Sequence, residues 1–407
     1  MITRMRSLST IDLATLTLVA VPLLAVTIGC RPPKAPEGAQ PAMAASPPAK
    51  AATSADSVAE GQRVFRFDTF GDEQLWTDTL GLHEVIEQKV DPTTALAVGL
   101  KVDADVLPPG LLDTVDLTSP ATTVALLEMN AIVGLQAAVD SNGSITSVGV
   151  TCALCHSTVD DSVMPGIGHR QDGWPNRDLD VGAIIAMSPA LKADQVAVYK
   201  SWGPGKYDPR YNLDGENTPL VIPPAYGLAK IENETYTAEG PISYWNAYVA
   251  VTQMGGQGNF SDPRLEINVE HSPDLVTPKL EALKAYQHSL SAPPPPAGSF
   301  DPAAAERGQT LFASACSSCH VGGNGTDNNS GVLHAPADTG VDGAYAARTA
   351  NKAYRTTPLR ALWQHPPYFH DGSAATLESV VEHYNRVRGL GLATGQRGDL
   401  VEYLKSL

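Results

Sequence analysis

Cys316-Ser317-Ser318-Cys319-His320 decides the reading of this chain, and Cys152-Ala153-Leu154-Cys155-His156 repeats it. Each stretch is a CxxCH motif: two thiols spaced to meet the vinyl groups of a porphyrin, then a histidine placed to bind its iron. That is the attachment pattern of c-type haem. Two C-x₂-C pairs with two histidines could also build a Cys₂His₂ zinc site. A histidine directly after the second cysteine suits haem instead. The reading is therefore two covalently bound haem c groups. Cys152, Cys155, Cys316 and Cys319 would be the attachment points, with His156 and His320 as proximal iron ligands.

The motifs use four of the five cysteines, and the fifth, Cys30, ends an export signal. Arg4 and Arg6 precede an almost wholly apolar run, Leu13 to Ile28, which closes on Thr27-Ile28-Gly29-Cys30. That ending resembles a bacterial lipobox, with Thr27 where leucine is usual. Cleavage would leave Cys30 as a lipid anchor, and the expected location is the periplasmic side of a bacterial envelope, at the outer membrane. The alternatives are an ordinary cleaved leader and a retained membrane anchor, for which about 16 apolar residues is short. Haem c attachment outside the cytoplasmic membrane agrees with export.

The full chain has 407 residues and a net charge of −16. Removal of residues 1–30 leaves enough for two or three domains with cores of their own. The acidic balance argues against nucleic acid and anionic lipid surfaces, which require basic patches. It permits docking with a basic electron donor, although solubility alone would account for it.

Pro/Ala-rich residues 31–57 read as a disordered tether. Ala292-Pro293-Pro294-Pro295-Pro296-Ala297-Gly298 reads as a stiff spacer (292–299) between an N-terminal domain, 58–291, and a C-terminal one, 300–407. The expected fold is mainly α, with two cytochrome c-like haem domains. In the C-terminal domain, Ala303 to Ala315 predicts a helix entering the motif, and Arg397 to Leu407 a final helix. The N-terminal domain is enlarged, rich in Gly and Pro, and irregular. Thr122 to Val133 predicts a helix. Leu135–Val139 and Ile145–Val150 predict strands joined by Asp140-Ser141-Asn142-Gly143 as a β-hairpin.

All seven methionines lie at or before Met254, so His/Met ligation cannot arise within the C-terminal domain. The candidate distal ligands there are His334, His365, His370, His383 and Tyr384. Thr376 can cap a helix on which Leu377, Val380, Val381 and Tyr384 share one apolar face. His383 lies about 100° away. Tyr384 then points inward, either as an iron ligand or as a core tyrosine.

Thr357-Pro358-Leu359-Arg360, Pro367-Tyr368-Phe369-His370-Asp371-Gly372 and Thr376-Leu377-Glu378 resemble the bacterial di-haem cytochrome c peroxidase superfamily, which includes MauG. The resemblance is strong over 303–407 and weak before it. It implies a distal methionine or, in MauG-like members, a tyrosine fourteen residues after His370, which falls on Tyr384. As in mono-haem cytochromes c, a glycine of the first helix would cross the last helix, with Gly308 and Tyr403 in those parts. At the first haem the resemblance makes His169 the distal candidate, ahead of Met164 and Met187. It also implies calcium between the domains, for which Asn176 and the His365–Pro367 backbone are the loose matches. The tryptophan that the family places between its haems has no counterpart, since Leu191 falls there; Trp202 or Trp174 could relay electrons instead. No catalytic glutamate is found in register.

Three functions follow as expectations. The first is a peroxidase-like oxidoreductase that reacts peroxide or O₂ at the first haem, with the second as electron-transfer site. The second is a pure electron-transfer cytochrome. The third is an oxygenase of the rubber-cleaving di-haem kind, although those chains are longer. A redox partner (a small cytochrome, a cupredoxin or a quinol-linked donor) is implied by the first two.

Overall fold

Ser54 accepts a hydrogen bond from the Ser57 amide (3.1 Å) and caps a helix over Ala55–Phe67. The computed structural model describes residues 54–407, so the leader, Cys30 and residues 31–53 lie outside the described residues. The Pro/Ala composition pointed to a tether through residue 57, but helix begins at Ala55. The Ser54 cap holds its first turn, and the burial of Val64 and Phe65 anchors its last.

The strands Leu135–Val139 and Ile145–Val150 pair antiparallel, as expected. Asp140 Oδ1 accepts from the Asn142 and Ser144 amides (2.8 and 3.0 Å), and Gly143 takes the left-handed conformation that the turn needs. The preceding helix is shorter than expected, Pro120–Glu128. Asn130 at φ 55° ends it, and β-branched Ile132 bridges to Val102 in extended chain. Each sheet among the described residues has two strands, and the fold is mainly α.

Two helix crossings organise the packing. The Pro302–Ala315 and Thr394–Lys405 helices meet at Gly308, where a Cβ would lie 2.0 Å from the Asp399 carbonyl oxygen and 2.8 Å from Tyr403 Cβ. The same arrangement recurs in the N-terminal part. There Ala55–Phe67 meets Leu280–Ser289 at Gly61, where a Cβ would lie 1.9 Å from the Ala282 oxygen and 2.7 Å from Tyr286 Cβ. Four residues past each glycine a phenylalanine packs on that tyrosine, Phe312 on Tyr403 (5.2 Å) and Phe65 on Tyr286 (5.5 Å). Only a hydrogen fits at either crossing. The 292–298 stretch links the two pairs without regular structure.

Candidate haem sites in one apolar cavity

In the C-terminal half the first helix runs straight into its motif. The Cys316 amide donates to the Phe312 carbonyl (2.8 Å), and the His320 amide to the Cys316 carbonyl (3.0 Å). His320 Nδ1 lies 2.9 Å from the Gly325 carbonyl, which can only accept, so the ring proton is on Nδ1 and Nε2 keeps its lone pair. Burial holds this imidazole below its usual pKa.

The N-terminal half reaches the same place by a detour. Residues 68–150 leave the end of the first helix, build the irregular layer and the hairpin, and return. Thr151 Oγ1 then donates to the Arg66 carbonyl (3.1 Å), which sets Cys152 beside that helix end. Ala153–His156 forms one helical turn. His156 Nδ1 donates to the Pro223 carbonyl (3.1 Å), again leaving Nε2 free. Burial pushes the Cys152 and Cys155 thiols up to about 12 and the His156 imidazole down to about 4.

Both motifs open into one continuous, largely apolar cavity. A histidine fixed through Nδ1, a free Nε2, two unbridged thiols and apolar walls, repeated twice, fit haem c. The residues do not gather as zinc ligands. Among the described residues, the one group of three ligand-type side chains within reach of one another is Cys319, Asp327 and His334, which takes in neither His156 nor His320.

Over the second motif the Leu377–Val387 helix, capped by Thr376, presents Leu377, Val380, Val381 and Tyr384 to the cavity. Burial pushes the Tyr384 phenol up to about 12, with Cys316 and Cys319 close enough to add to the shift. The competing histidines have Nε2 engaged: His334 with Asp327 (3.0 Å), His365 with the Tyr226 hydroxyl (3.0 Å), His370 with the Tyr354 hydroxyl (3.0 Å) and His383 with the Thr339 carbonyl (2.8 Å). His383 also faces a separate surface groove rather than the cavity.

Over the first motif lies a helix that the sequence reading passed over. Ile242–Tyr248 continues into a π-helical turn, Val249–Gln253, and the cavity is lined by Ile242, Trp245, Val249, Ala250, Gln253 and Met254. Their spacing of three and four is an amphipathic signal that was present in the sequence. The side-chain amides on this face are paired, Gln253 Oε1 accepting from Tyr207 (3.0 Å) and Asn246 and Gln287 exchanging two hydrogen bonds (2.8 and 3.1 Å), whereas the Trp245 indole N–H is buried without a partner.

The structure does not bring His169 to this pocket. Its ring is 63 % exposed and bonds Asp105 (2.7 Å), which raises its pKa. Met164 is exposed and Met187 packs on the N-terminal core, both outside the cavity. Leu191 also packs on that core. Trp202 lies among Tyr199, Tyr207 and Tyr211, and its indole N–H donates to Asn217 (2.9 Å). Trp174 stands edge-on to Trp363 (5.7 Å) and Tyr226 (6.4 Å) and so links the two halves. Of the loose calcium match, the side-chain part is already engaged. Asn176 is spent on the Gly99 carbonyl (2.8 Å) and the Asp178 amide (3.3 Å).

Residues 305–407 match the family model for cytochrome c. No curated protein matches the chain. Among solved structures, hydrazine synthase of Kuenenia stuttgartiensis (studied under xenon pressure) is 19% identical, with TM-score 0.34, over 47% of this chain and 73% of that one. A MauG-like protein associated with microbial copper homeostasis is 20% identical, with TM-score 0.34, over 47% and 74%. Likeness this slight carries no argument about activity. The C-terminal part of the chain, residues 305–407, is a cytochrome c-type domain.

Proposed function

We propose that the chain is an exported di-haem c-type redox protein whose two sites do different work. The second motif would hold an electron-transfer haem through Cys316, Cys319 and His320, with Tyr384 on the facing wall of the cavity. The first would hold, through Cys152, Cys155 and His156, the substrate-facing haem, which would supply an iron for chemistry with peroxide or dioxygen. The supporting observation is the contrast between the two far walls of one cavity. The wall near Cys316 and Cys319 offers the buried Tyr384 phenol, while the wall over Cys152 and Cys155 is built from Ile242, Trp245, Val249, Ala250 and Met254, with the amides of Gln253 and Asn246 already paired.

Haem c supplies an iron that exchanges single electrons, at a potential set by its axial ligands and surroundings. The chain's own residues supply the rest. Pro223 and Gly325 carbonyls hold the proximal rings in one tautomer and make them better donors. Val249, Ala250 and Ile242 keep the first pocket apolar. Trp174 and Trp363 give an aromatic path between halves. Electrons would come from a small cytochrome, a cupredoxin or a quinol-linked donor, with Cys30 anchoring the protein to the outer membrane.

One observation favours the electron-carrier reading: Met254 lines the cavity on the first motif's side, and its thioether is a standard sixth ligand. Peroxide separates the two. Adding it to the ferric holoprotein is expected to change the absorption and electron-spin spectra of one haem. Two low-spin signals indifferent to peroxide, one of them lost in Met254→Leu, would establish the carrier.

A further inference from the structure

Six residues, Ile222-Pro223-Pro224-Ala225-Tyr226-Gly227, run as a strap between the two motifs. Its Pro223 carbonyl holds His156. Its Ile222 carbonyl accepts from Arg177 Nη1 (2.7 Å), and its Gly227 carbonyl accepts from Arg360 Nη1. Both guanidinium groups thus reach the middle of the cavity from opposite halves, and both line it. Arg177 follows Asn176, whose amide donates to the Cys155 carbonyl (2.9 Å), so it stands on the first motif's side. Arg360 belongs to the C-terminal half, next to Leu359, which packs on that core.

These two cations differ from the other buried arginines. Arg170, Arg210, Arg348 and Arg355 meet Asp172, Glu239, Asp208 and Glu234, at 2.8, 2.6, 2.9 and 3.1 Å. Among the described residues, neither Arg177 nor Arg360 has a carboxylate at ion-pair distance; the Nε of each is buried without a partner, as it is in Arg210 and Arg355, so the missing carboxylate is what sets them apart. Burial lowers the pKa of both. Removing a charge from water without a counter-charge is costly. Two such cations facing one cavity imply anions that belong there.

We propose that Arg177 and Arg360 form an anion-binding pair for carboxylates, taking the haem propionates from the two sides of the strap, in the region where the resemblance placed calcium. This rests on the haem reading above. Guanidinium is suited to the task because its planar donors engage a carboxylate in pairs. A propionate held this way would sit next to the strap whose Pro223 carbonyl orients His156, tying the first haem's edge and its axial ligand to one segment.

The test uses the holoprotein, with two haems first established by intact mass; fewer than two would overturn the haem reading itself. Arg177→Gln and Arg360→Gln are each expected to shift the resonance Raman propionate-bending band of one haem and to lower that haem's reduction potential. Arg177→Lys and Arg360→Lys, which keep the charge, are expected to restore part of both. In wild type, neither EGTA, added calcium nor a phosphate titration at constant ionic strength should move the bands or potentials. With two haems present, bands unmoved in the Gln variants would overturn the proposal, as would a response to EGTA. A response to phosphate would show that a free anion, rather than a propionate, occupies the pair.

Discussion

The two halves of this molecule share one helix crossing and differ in how the chain travels from it to the CxxCH motif. In the C-terminal half, Cys316 follows the last turn of the first helix without a break. In the N-terminal half, residues 68–150 intervene and the motif is delivered from a hairpin, pinned back by the Thr151–Arg66 hydrogen bond. The common part fixes the proximal side, and both histidines end up with Nδ1 on a carbonyl. The inserted and rebuilt part changes the far side. One cavity therefore has a tyrosine-bearing wall at one end and, at the other, a wall built on a π-helical turn.

The strongest way to break the comparison is to remove one attachment at a time. Cys152→Ala with Cys155→Ala, and Cys316→Ala with Cys319→Ala, should each lower the intact mass by one haem and leave the other's spectrum in place. Loss of both haems from either pair would mean that the halves do not act as separate attachment sites. A smaller effect tests the shared crossing. Gly61→Ala and Gly308→Ala each push a Cβ to within 2.0 Å of a backbone oxygen. Both should destabilise the protein by about 1–3 kcal/mol in chemical denaturation. A large cost at Gly308 with none at Gly61 would show that the N-terminal crossing is not equivalent.

Much of the C-terminal half was legible because its signals are local. The Thr376 cap, the face of Leu377, Val381 and Tyr384, and the helix ending at Ala315 all rest on neighbours three or four residues apart. The hairpin was legible for the same reason, through Asp140 and Gly143. The Gly308–Tyr403 crossing was expected from the likeness to mono-haem cytochromes c; its counterpart, marked by Gly61-Gln62-x-x-Phe65 beside Gly308-Gln309-x-x-Phe312, was not, since Tyr286 lies far along the chain from Gly61 in a region of weak resemblance. The strap could not be read at all. Its contribution is three backbone carbonyls, and a carbonyl leaves no mark on residue identity. His169 shows the opposite hazard: a register carried over from a family over a region of weak resemblance reached a residue paired with Asp105 at the surface.

The claim that the two sites are unequal is tested most directly by the electron-spin spectrum of the ferric holoprotein, wild type against Tyr384→Phe. The account predicts two distinguishable haem signals, of which the substitution moves one and leaves the other untouched. Two matching signals in wild type, or a spectrum that Tyr384→Phe does not change, would contradict it.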